Sequence, residues 1–249
     1  MKPKSYYHAH EMAYQQIKSK GFVGWGNAKT IEELGDIEMH EFLKSSTKRW
    51  IQNPEGKMAL DLGCGSGTTA FTLAKLGFSV RGIDISETAI AMATDLAKKQ
   101  NLKIRFEVGD ILQLDKLNEQ FDLIYDSHCL HCIVFDEDRR LVLEGIRNAL
   151  TDSGIFLLDT MIAMDKVNPA DGLEMLRFDT DYILWHKTST SSDRGVIEID
   201  GQYWCAQRRI YPEAKVLDEI SEAGFKVMMK SLDSQGENHP RLLRLVLKR

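Results

Sequence analysis

Two carboxylates and three glycines form the group of residues with the clearest chemistry in this sequence. Asp61 ends a short apolar run, and three glycines follow at alternate positions, Gly63, Gly65 and Gly67. Because glycine has no Cβ, it can adopt positive φ and let a ligand approach the backbone closely. Asp84 ends the next apolar run, about 20 residues after the first glycine, where a carboxylate suits a pair of ribose hydroxyls. This spacing predicts a strand, turn, helix and strand that hold a nucleoside-containing ligand.

The same residues distinguish between two classes of nucleoside ligand. A dinucleotide-binding turn follows the pattern G-x-G-x-x-G, which needs a third glycine at the position that Thr68 occupies. A pyrophosphate also has no need of the Asp61 carboxylate, whereas a cationic group, such as the ammonium of an amino acid, suits it. The segment LDLGCGSG, residues 60–67, resembles the first motif of the class I S-adenosylmethionine-dependent methyltransferases.

This resemblance implies S-adenosylmethionine as the cofactor and methyl transfer as the activity. It continues through later segments that match the third and fourth strands of the family, KIRFEVGDIL at 103–112 and FDLIYDSHCLHCI at 121–133. An NAD-dependent dehydrogenase and a non-catalytic module that binds the same cofactor are the alternatives. The residues that the resemblance assigns to the cofactor are Asp61, Gly63, Cys64 and Gly65 for the methionine part, Asp84 for the ribose hydroxyls, Ile85 next to it, and Asp110 and Ile111 for the adenine. Asp126 could hold the ammonium by its backbone carbonyl or its carboxylate, and the resemblance favours the backbone.

Two histidines after the fourth strand are the candidates for acid–base chemistry. Histidine titrates near neutrality and can accept a proton from a hydroxyl, amine or thiol, so we predict His128 as the catalytic residue. His131 is a candidate substrate contact; both histidines could instead only shape the pocket. The segment H-C-x-H-C also suggests a metal site. Four ligands within five residues cannot converge on one ion, so no metal is predicted.

Aromatic and basic residues elsewhere are candidates for ligand contacts. Aromatic faces attract cations such as a sulfonium, so Trp25 is predicted beside the cofactor and Tyr7 and Tyr203 beside the substrate. Arg208 and Arg209 could bind a substrate carboxylate, although a solvated strand face is the favoured interpretation for this pair.

The elements that must position these residues alternate between strand and helix patterns. Such alternation predicts a mostly parallel α/β sheet covered on both faces, and the resemblance implies a Rossmann-like, doubly wound sheet of seven strands with an antiparallel last strand. Residues 1–53 form a predicted N-terminal helical segment. Residues 162–210 form an insertion with a hairpin that turns at Asp200-Gly201. We expect the two segments to form a lid over the active site; shielding a sheet edge is the alternative.

Composition sets outer limits on function. The chain has 249 residues with 43% hydrophobic and 28% charged content, which predicts a single globular domain over 1–249. The resemblance implies that this is a methyltransferase domain. The net charge is −5 with no basic stripe, which disfavours a nucleic-acid partner. No apolar run reaches the length of a membrane span and no signal segment is present, so a cytoplasmic protein without disulfides is expected. A small-molecule acceptor is predicted; its reacting atom (N, O or S) and the oligomeric state are left open.

Overall fold

The computed structural model describes residues 5–35, 37–163, 174–189, 194–233 and 241–249, and the side chains of residues 5–7 and 37 lie outside this description. The elements alternate along the chain as the sequence predicts. The helices are α1 (Ser5–Ser19), α2 (Ile37–Trp50), α3 (Thr68–Lys75), α4 (Glu87–Lys99), α5 (Asp136–Ala149) and α6 (Glu213–Glu222). The strands are β1 (Met58–Leu62), β2 (Ser79–Asp84), β3 (Ile104–Val108), β4 (Phe121–Ser127), β5 (Leu150–Ile162), β6 (Leu176–Phe178), β7 (Ile183–Thr188), β8 (Val196–Ile199), β9 (Gln202–Arg209), β10 (Lys226–Leu232) and β11 (Arg241–Lys248).

Seven of these strands form one sheet in the order β10-β11-β5-β4-β1-β2-β3. Strands β1 to β5 pair in parallel, and β11 runs antiparallel to both of its neighbours. The predicted seven-stranded, mostly parallel sheet with an antiparallel last strand is confirmed. Because the carboxyl ends of parallel strands meet at one edge, the turns after β1 to β4 lie together there.

Side-chain alternation along the central strands explains why both faces of the sheet are covered. Leu60 and Leu62 on β1 are buried in one hydrophobic cluster with α5 and α6, whereas Ala59 is buried in the cluster on the opposite face with α2 and α3. On β4, Ile124 and Tyr125 divide between the same two clusters. Successive residues of a strand point to opposite faces of the sheet. A strand that is covered on both faces therefore needs apolar residues at successive positions, not apolar and polar residues in turn.

The insertion between β5 and α6 contains a second sheet, in the order β6-β7-β9-β8. The predicted hairpin is confirmed: β8 and β9 pair antiparallel, and the turn residues Asp200 and Gly201 have φ of 52° and 71°. Positive φ at both central residues matches the twist of a two-residue hairpin. The insertion has more strands than the predicted hairpin, because β6 and β7 extend the hairpin to a four-stranded sheet. Within the described residues, none of the helices has the length and apolar character that crossing a membrane would require.

Candidate active site

The turn after β1 needs glycine for two physical reasons. Gly63, Gly65 and Gly67 have φ of 61°, 53° and 99°, a region that residues with a Cβ rarely adopt. An added Cβ at Gly63 would also overlap the side chain of Cys129, and one at Gly65 would overlap the Tyr14 hydroxyl. The turn is therefore covered tightly by residues from α1 and from the segment after β4.

Asp61 lies beneath this turn, and the cavity reaches it. Its side chain is 1% exposed, and its Oδ2 atom has no hydrogen-bond partner among the described residues. Burial raises the pKa of this carboxyl well above its usual range, and the nearby Asp84 and Asp126 raise it further, although the Ala70 amide opposes them. A buried carboxylate oxygen without a donor is unfavourable, so Asp61 fits a cationic ligand group such as the predicted ammonium.

Asp84 ends β2 and organises the loop around it. Its Oδ2 accepts a hydrogen bond from the Gly65 amide at 2.8 Å, and its Oδ1 accepts one from the Ser86 amide at 2.9 Å. Burial raises the pKa of this carboxyl, whereas the two amides and the nearby His10 act in the opposite direction. Each oxygen accepts one amide and keeps a second lone pair. The cavity reaches this carboxylate, which fits the predicted role at two ribose hydroxyls.

A cavity of about 490 Å³ connects most of the predicted site residues. This volume lies within the usual range for small-molecule sites. The predicted residues that line it are Asp61, Gly63, Cys64, Gly65, Asp84, Ile85, Asp110, Ile111, Trp25, His128 and His131. Further lining residues that were not among the predicted ligand contacts include His10, Met39, Met161, Cys129 and Cys132.

Two predicted site residues, Asp126 and Tyr203, do not line the cavity. The Asp126 carboxylate accepts hydrogen bonds from the Cys129 amide at 2.9 Å and the Leu130 amide at 3.1 Å, so it fixes the turn after β4 and does not line the cavity. Burial raises the pKa of this carboxyl to about 7, although those amides and Arg139 lower it. Tyr203 lies on β9 away from the lining residues. The side chain of Tyr7 falls outside the described residues.

Aromatic residues cover the glycine turn from the N-terminal segment. The Trp25 indole donates a hydrogen bond to the Tyr14 hydroxyl at 2.9 Å, and the two rings meet edge to face with centroids 5.8 Å apart. Trp25 is 52% exposed, whereas Tyr14 is buried. The glycines on either side of Trp25 drew attention to it in the sequence, but the contact between Tyr14 and Gly65 is long-range and had no local signal.

A second N-terminal contact joins α1 to the loop after β2. The Glu11 carboxylate accepts hydrogen bonds from the Ser86 hydroxyl at 2.7 Å and from both the amide and the hydroxyl of Thr88. Partial burial raises the pKa of Glu11, but these bonds and one from Gln15 outweigh it and lower the pKa to about 2. Glu11 therefore ties the N-terminal helix to the loop that follows Asp84.

His128 has an unusual backbone and a carboxylate neighbour. Its φ is 68°, a left-handed value that a non-glycine residue adopts at a free-energy cost of about 1–2 kcal/mol. Its amide donates to the Asp159 carbonyl at 2.9 Å, and its Nε2 lies 3.7 Å from Asp159 Oδ1. Asp159 is fully buried, and its Oδ2 accepts a bond from Arg244 Nε at 2.9 Å. Asp159 is therefore placed to orient the His128 imidazole through its Nε2.

His131 is fixed as a hydrogen-bond donor. The Met161 amide donates to its Nδ1 at 3.2 Å, and Thr160 Oγ1 lies 3.3 Å from the same nitrogen. Because an amide can only donate, Nδ1 carries a lone pair and the proton of the neutral ring is on Nε2. Burial lowers the pKa of His131 well below its usual range, and the nearby His128 and Arg208 lower it further. The ring therefore stays neutral and suits donation rather than proton abstraction. Within the described residues, no three side chains of the metal-binding types gather as ligands.

The two arginines of β9 differ from the favoured interpretation of a solvated face. Arg209 is buried, and it donates to the Val134 carbonyl at 3.0 Å and the Tyr211 hydroxyl at 2.6 Å. Arg208 lines the cavity, and its Nη1 lies 3.7 Å from the Met161 sulfur. One arginine therefore stabilises the fold while the other faces the candidate site.

Comparisons with known proteins agree with this geometry. A family model described as a methyltransferase domain matches residues 53–210. An uncharacterised methyltransferase of Schizosaccharomyces pombe is 34% identical over 98 residues, which cover 39% of this chain and 68% of the relative. A ubiquinone biosynthesis O-methyltransferase of Coxiella burnetii is 43% identical over 107 residues, which cover 43% of this chain and 44% of that protein. The match to that protein thus spans less than half of its length.

A solved structure shares the fold over almost the whole chain. It is the crystal structure of an S-adenosylmethionine-dependent methyltransferase from Clostridium acetobutylicum, which superposes with a TM-score of 0.65 at 18% identity. The match covers 95% of this chain and 98% of that one, so it includes the N-terminal helices and the insertion as well as the seven-stranded sheet.

Proposed function

Since the chain belongs to the methyltransferase domain family and has S-adenosylmethionine as its cofactor, we propose that it methylates a small molecule held in the cavity beside His128. The cofactor, when bound, supplies a methyl group on a sulfonium that is open to nucleophilic attack. The chain's own residues then have two tasks, which are to place the two ligands and to remove a proton from the acceptor.

The observation that carries the proposal is the covered cavity. It extends from Asp61 and Asp84 under the glycine turn to His128 and Arg208, and its volume of about 490 Å³ must serve both ligands. Residues of α1, of the 25–35 segment and of β9 contribute to its walls, which supports the lid function for the N-terminal segment and the insertion. A single small cavity with such a cover favours a small acceptor over a macromolecule, and the net charge of −5 does not favour nucleic acid.

The residues that would hold the cofactor follow from the fit of each part. Asp61 would accept from the ammonium, because its buried Oδ2 is without a donor among the described residues. The backbone of Gly63, Cys64 and Gly65 would follow the methionine part, and Asp84 with Ile85 would contact the ribose. The remaining assignments are Asp110 and Ile111 beside the adenine, Trp25 over the turn, and the backbone of Asp126 near the ammonium.

His128 would act as the general base. Asp159 lies within ion-pair distance of His128 Nε2, so it favours the tautomer with the proton on that nitrogen. Nδ1 then keeps its lone pair and can take a proton from the molecule that is methylated. The carboxylate also stabilises the imidazolium that forms. His131 cannot share this role, because its Nδ1 is occupied by the Met161 amide. A base is useful when the nucleophile arrives protonated, as a hydroxyl does. One relative is an O-methyltransferase by name, so hydroxyl compounds are the first acceptors to test.

The proposal is tested by an acceptor screen that detects S-adenosylhomocysteine release from small phenols, alcohols, thiols and amines. We expect turnover with at least one class. His128→Asn should then lower kcat by about 10²–10⁴-fold while the affinity for S-adenosylhomocysteine stays within threefold of wild type. His8→Asn, at an exposed position of α1, is the matched control and should retain wild-type kcat.

Two results would contradict the proposal in different ways. Tight cofactor binding without turnover of any acceptor would favour the non-catalytic module. Turnover that is the same in wild type and His128→Asn would leave the small-molecule function intact and remove His128 from the catalytic role.

A further inference from the structure

We propose that Arg208 binds an acidic group of the methyl acceptor, so that the substrate class is a small carboxylic acid. This inference rests on the proposed function, because it concerns the acceptor half of the same cavity. The first supporting observation is the hydrogen-bonding state of the Arg208 guanidinium. Arginine carries five N–H donors and is always charged, so it needs strong acceptors when it lies against protein.

The contacts of Arg208 do not supply such acceptors. Its hydrogen-bonding neighbours among the described residues are two sulfur atoms, those of Met161 at 3.7 Å and of Cys132, and sulfur is a weak acceptor. Among the described residues no carboxylate lies within ion-pair distance of it. Arg209, the next residue, shows the contrast, because it binds two oxygen acceptors and lies 3.1 Å from an Asp136 carboxylate oxygen. The guanidinium of Arg208 therefore keeps donors for a ligand.

An irregularity in β9 explains why adjacent arginines have such different surroundings. Trp185 of β7 pairs with Ala206, and Leu184 pairs with Arg208, so Gln207 is an extra residue opposite the pair. A bulge of this kind shifts the alternation of side chains by one position. Ala206 and Arg209 are both buried as a result, and Arg208 is left lining the cavity.

The electrostatics of the cavity also differ between its two ends. The lining carboxylates are Glu33, Asp61, Asp84 and Asp110, which belong to the N-terminal segment and to the ends of β1 to β3. The basic lining residues are His10, His128, His131 and Arg208. Three of these four come from the turn after β4 and from β9. His131 is neutral, so Arg208 is the lining residue that offers a carboxylate of the methyl acceptor a permanent positive charge at this second end, near the proposed base.

The cofactor has a carboxylate of its own, and the site offers it a separate place. The N-terminus of α3 follows the glycine turn, and Thr68 and Thr69 in its first turn line the cavity. Free amides and the helix dipole favour a negative group there. Arg208 is thus available for the carboxylate of the methyl acceptor. If Arg208 bound the cofactor carboxylate instead, its replacement would weaken cofactor binding.

The test uses calorimetric titration of wild type, Arg208→Gln, Arg208→Lys and Lys187→Gln. Lys187→Gln is the matched control, because it removes a positive charge from the neighbouring strand β7 at a position that does not line the cavity. Each protein is titrated first with S-adenosylhomocysteine. The saturated protein is then titrated with two matched pairs of probes, 4-hydroxybenzoate with 4-hydroxybenzamide and 3-hydroxybutyrate with 3-hydroxybutanamide.

We expect wild type to bind at least one acid about 10- to 100-fold more tightly than its amide, which is the range of a charge-assisted pair. Arg208→Gln should lose this preference with unchanged affinity for S-adenosylhomocysteine, whereas Arg208→Lys should retain part of it and Lys187→Gln all of it. A tenfold loss of S-adenosylhomocysteine affinity in Arg208→Gln would assign Arg208 to the cofactor and overturn the inference. So would equal binding of acids and amides by wild type. If wild type fails to bind S-adenosylhomocysteine at all, the proposed function itself fails.

Discussion

Replacing Gly65 with alanine adds one methyl group at the point where α1 rests on the glycine turn. The new Cβ would overlap the Tyr14 hydroxyl and approach its Cζ atom to 3.1 Å. Tyr14 is buried and its hydroxyl accepts the indole hydrogen bond of Trp25, so the ring cannot move away without breaking that contact. The substitution should therefore disturb both the turn and its aromatic cover.

The magnitude follows from three contributions. Alanine at a φ of +53° costs about 1–2 kcal/mol, overpacking against a buried ring about 1–3 kcal/mol, and loss of the hydrogen bond about 0.5–1.5 kcal/mol. Gly56 provides a matched control, because its φ is +77° and an added Cβ meets no heavy atom within 4 Å. We expect Gly56→Ala to lose only the first contribution, about 1–2 kcal/mol. Gly65→Ala should lose about 2.5–6.5 kcal/mol of unfolding free energy, the sum of the three contributions.

Urea unfolding of the two variants measures this difference, and S-adenosylhomocysteine titration shows whether the turn still binds. The double variant Gly65→Ala/Tyr14→Phe removes the overlapping hydroxyl and should recover part of the excess loss. Equal losses for Gly65→Ala and Gly56→Ala would refute the reasoning, because the overlap with Tyr14 would then have no energetic consequence.

Two other predictions concern the buried carboxylates. Asp84→Ala removes the acceptor of the Gly65 and Ser86 amides, and it also removes a predicted partner of the ribose. Cofactor affinity should therefore fall by about 10- to 150-fold in a calorimetric titration. Unchanged affinity would count against the assignment of Asp84 to the ribose. Asp126 has a folded-state pKa of about 7, which is above the pKa of the same carboxyl in the unfolded chain. The stability that its protonated form contributes is therefore complete below a pH of about 4 and is lost as the pH rises towards 7. Wild-type unfolding free energy should fall by up to roughly 4 kcal/mol over that range, and Asp126→Asn should show a flatter profile in urea unfolding at several pH values. Identical pH profiles for the two proteins would contradict the second prediction.

Local patterns predicted the alternating α/β sheet and the glycine turn at its edge, because the causes of both are local. The glycine turn needs positive φ within a few residues of Asp61, and Asp84 must end the next strand, so both leave a signature in a short stretch of sequence. The hairpin at Asp200-Gly201 is a turn signal of the same kind.

The rest of the site depends on long-range contacts that no short segment encodes. Glu11 caps the loop after β2 from a helix more than 70 residues earlier in the chain, and Tyr14 covers Gly65 in the same way. The roles of Arg208 and Arg209 depend on one extra residue in β9, which reverses the alternation that a regular strand would have. The Asp126 carboxylate accepts hydrogen bonds from the following turn, which leaves only its backbone for the predicted contact with the ammonium.

The central claim is that the buried Asp61 carboxylate is there to bind the amino-acid end of S-adenosylmethionine. Titration of S-adenosylhomocysteine into wild type and Asp61→Asn tests it most directly, with NAD titrated into wild type as the control ligand. We predict that wild type binds S-adenosylhomocysteine and not NAD, and that Asp61→Asn binds it about 10- to 150-fold more weakly. The variant's unfolding free energy should not fall, because burial disfavours the charged carboxylate. Equal affinity of the two proteins for S-adenosylhomocysteine, or binding of NAD in its place, would contradict the account.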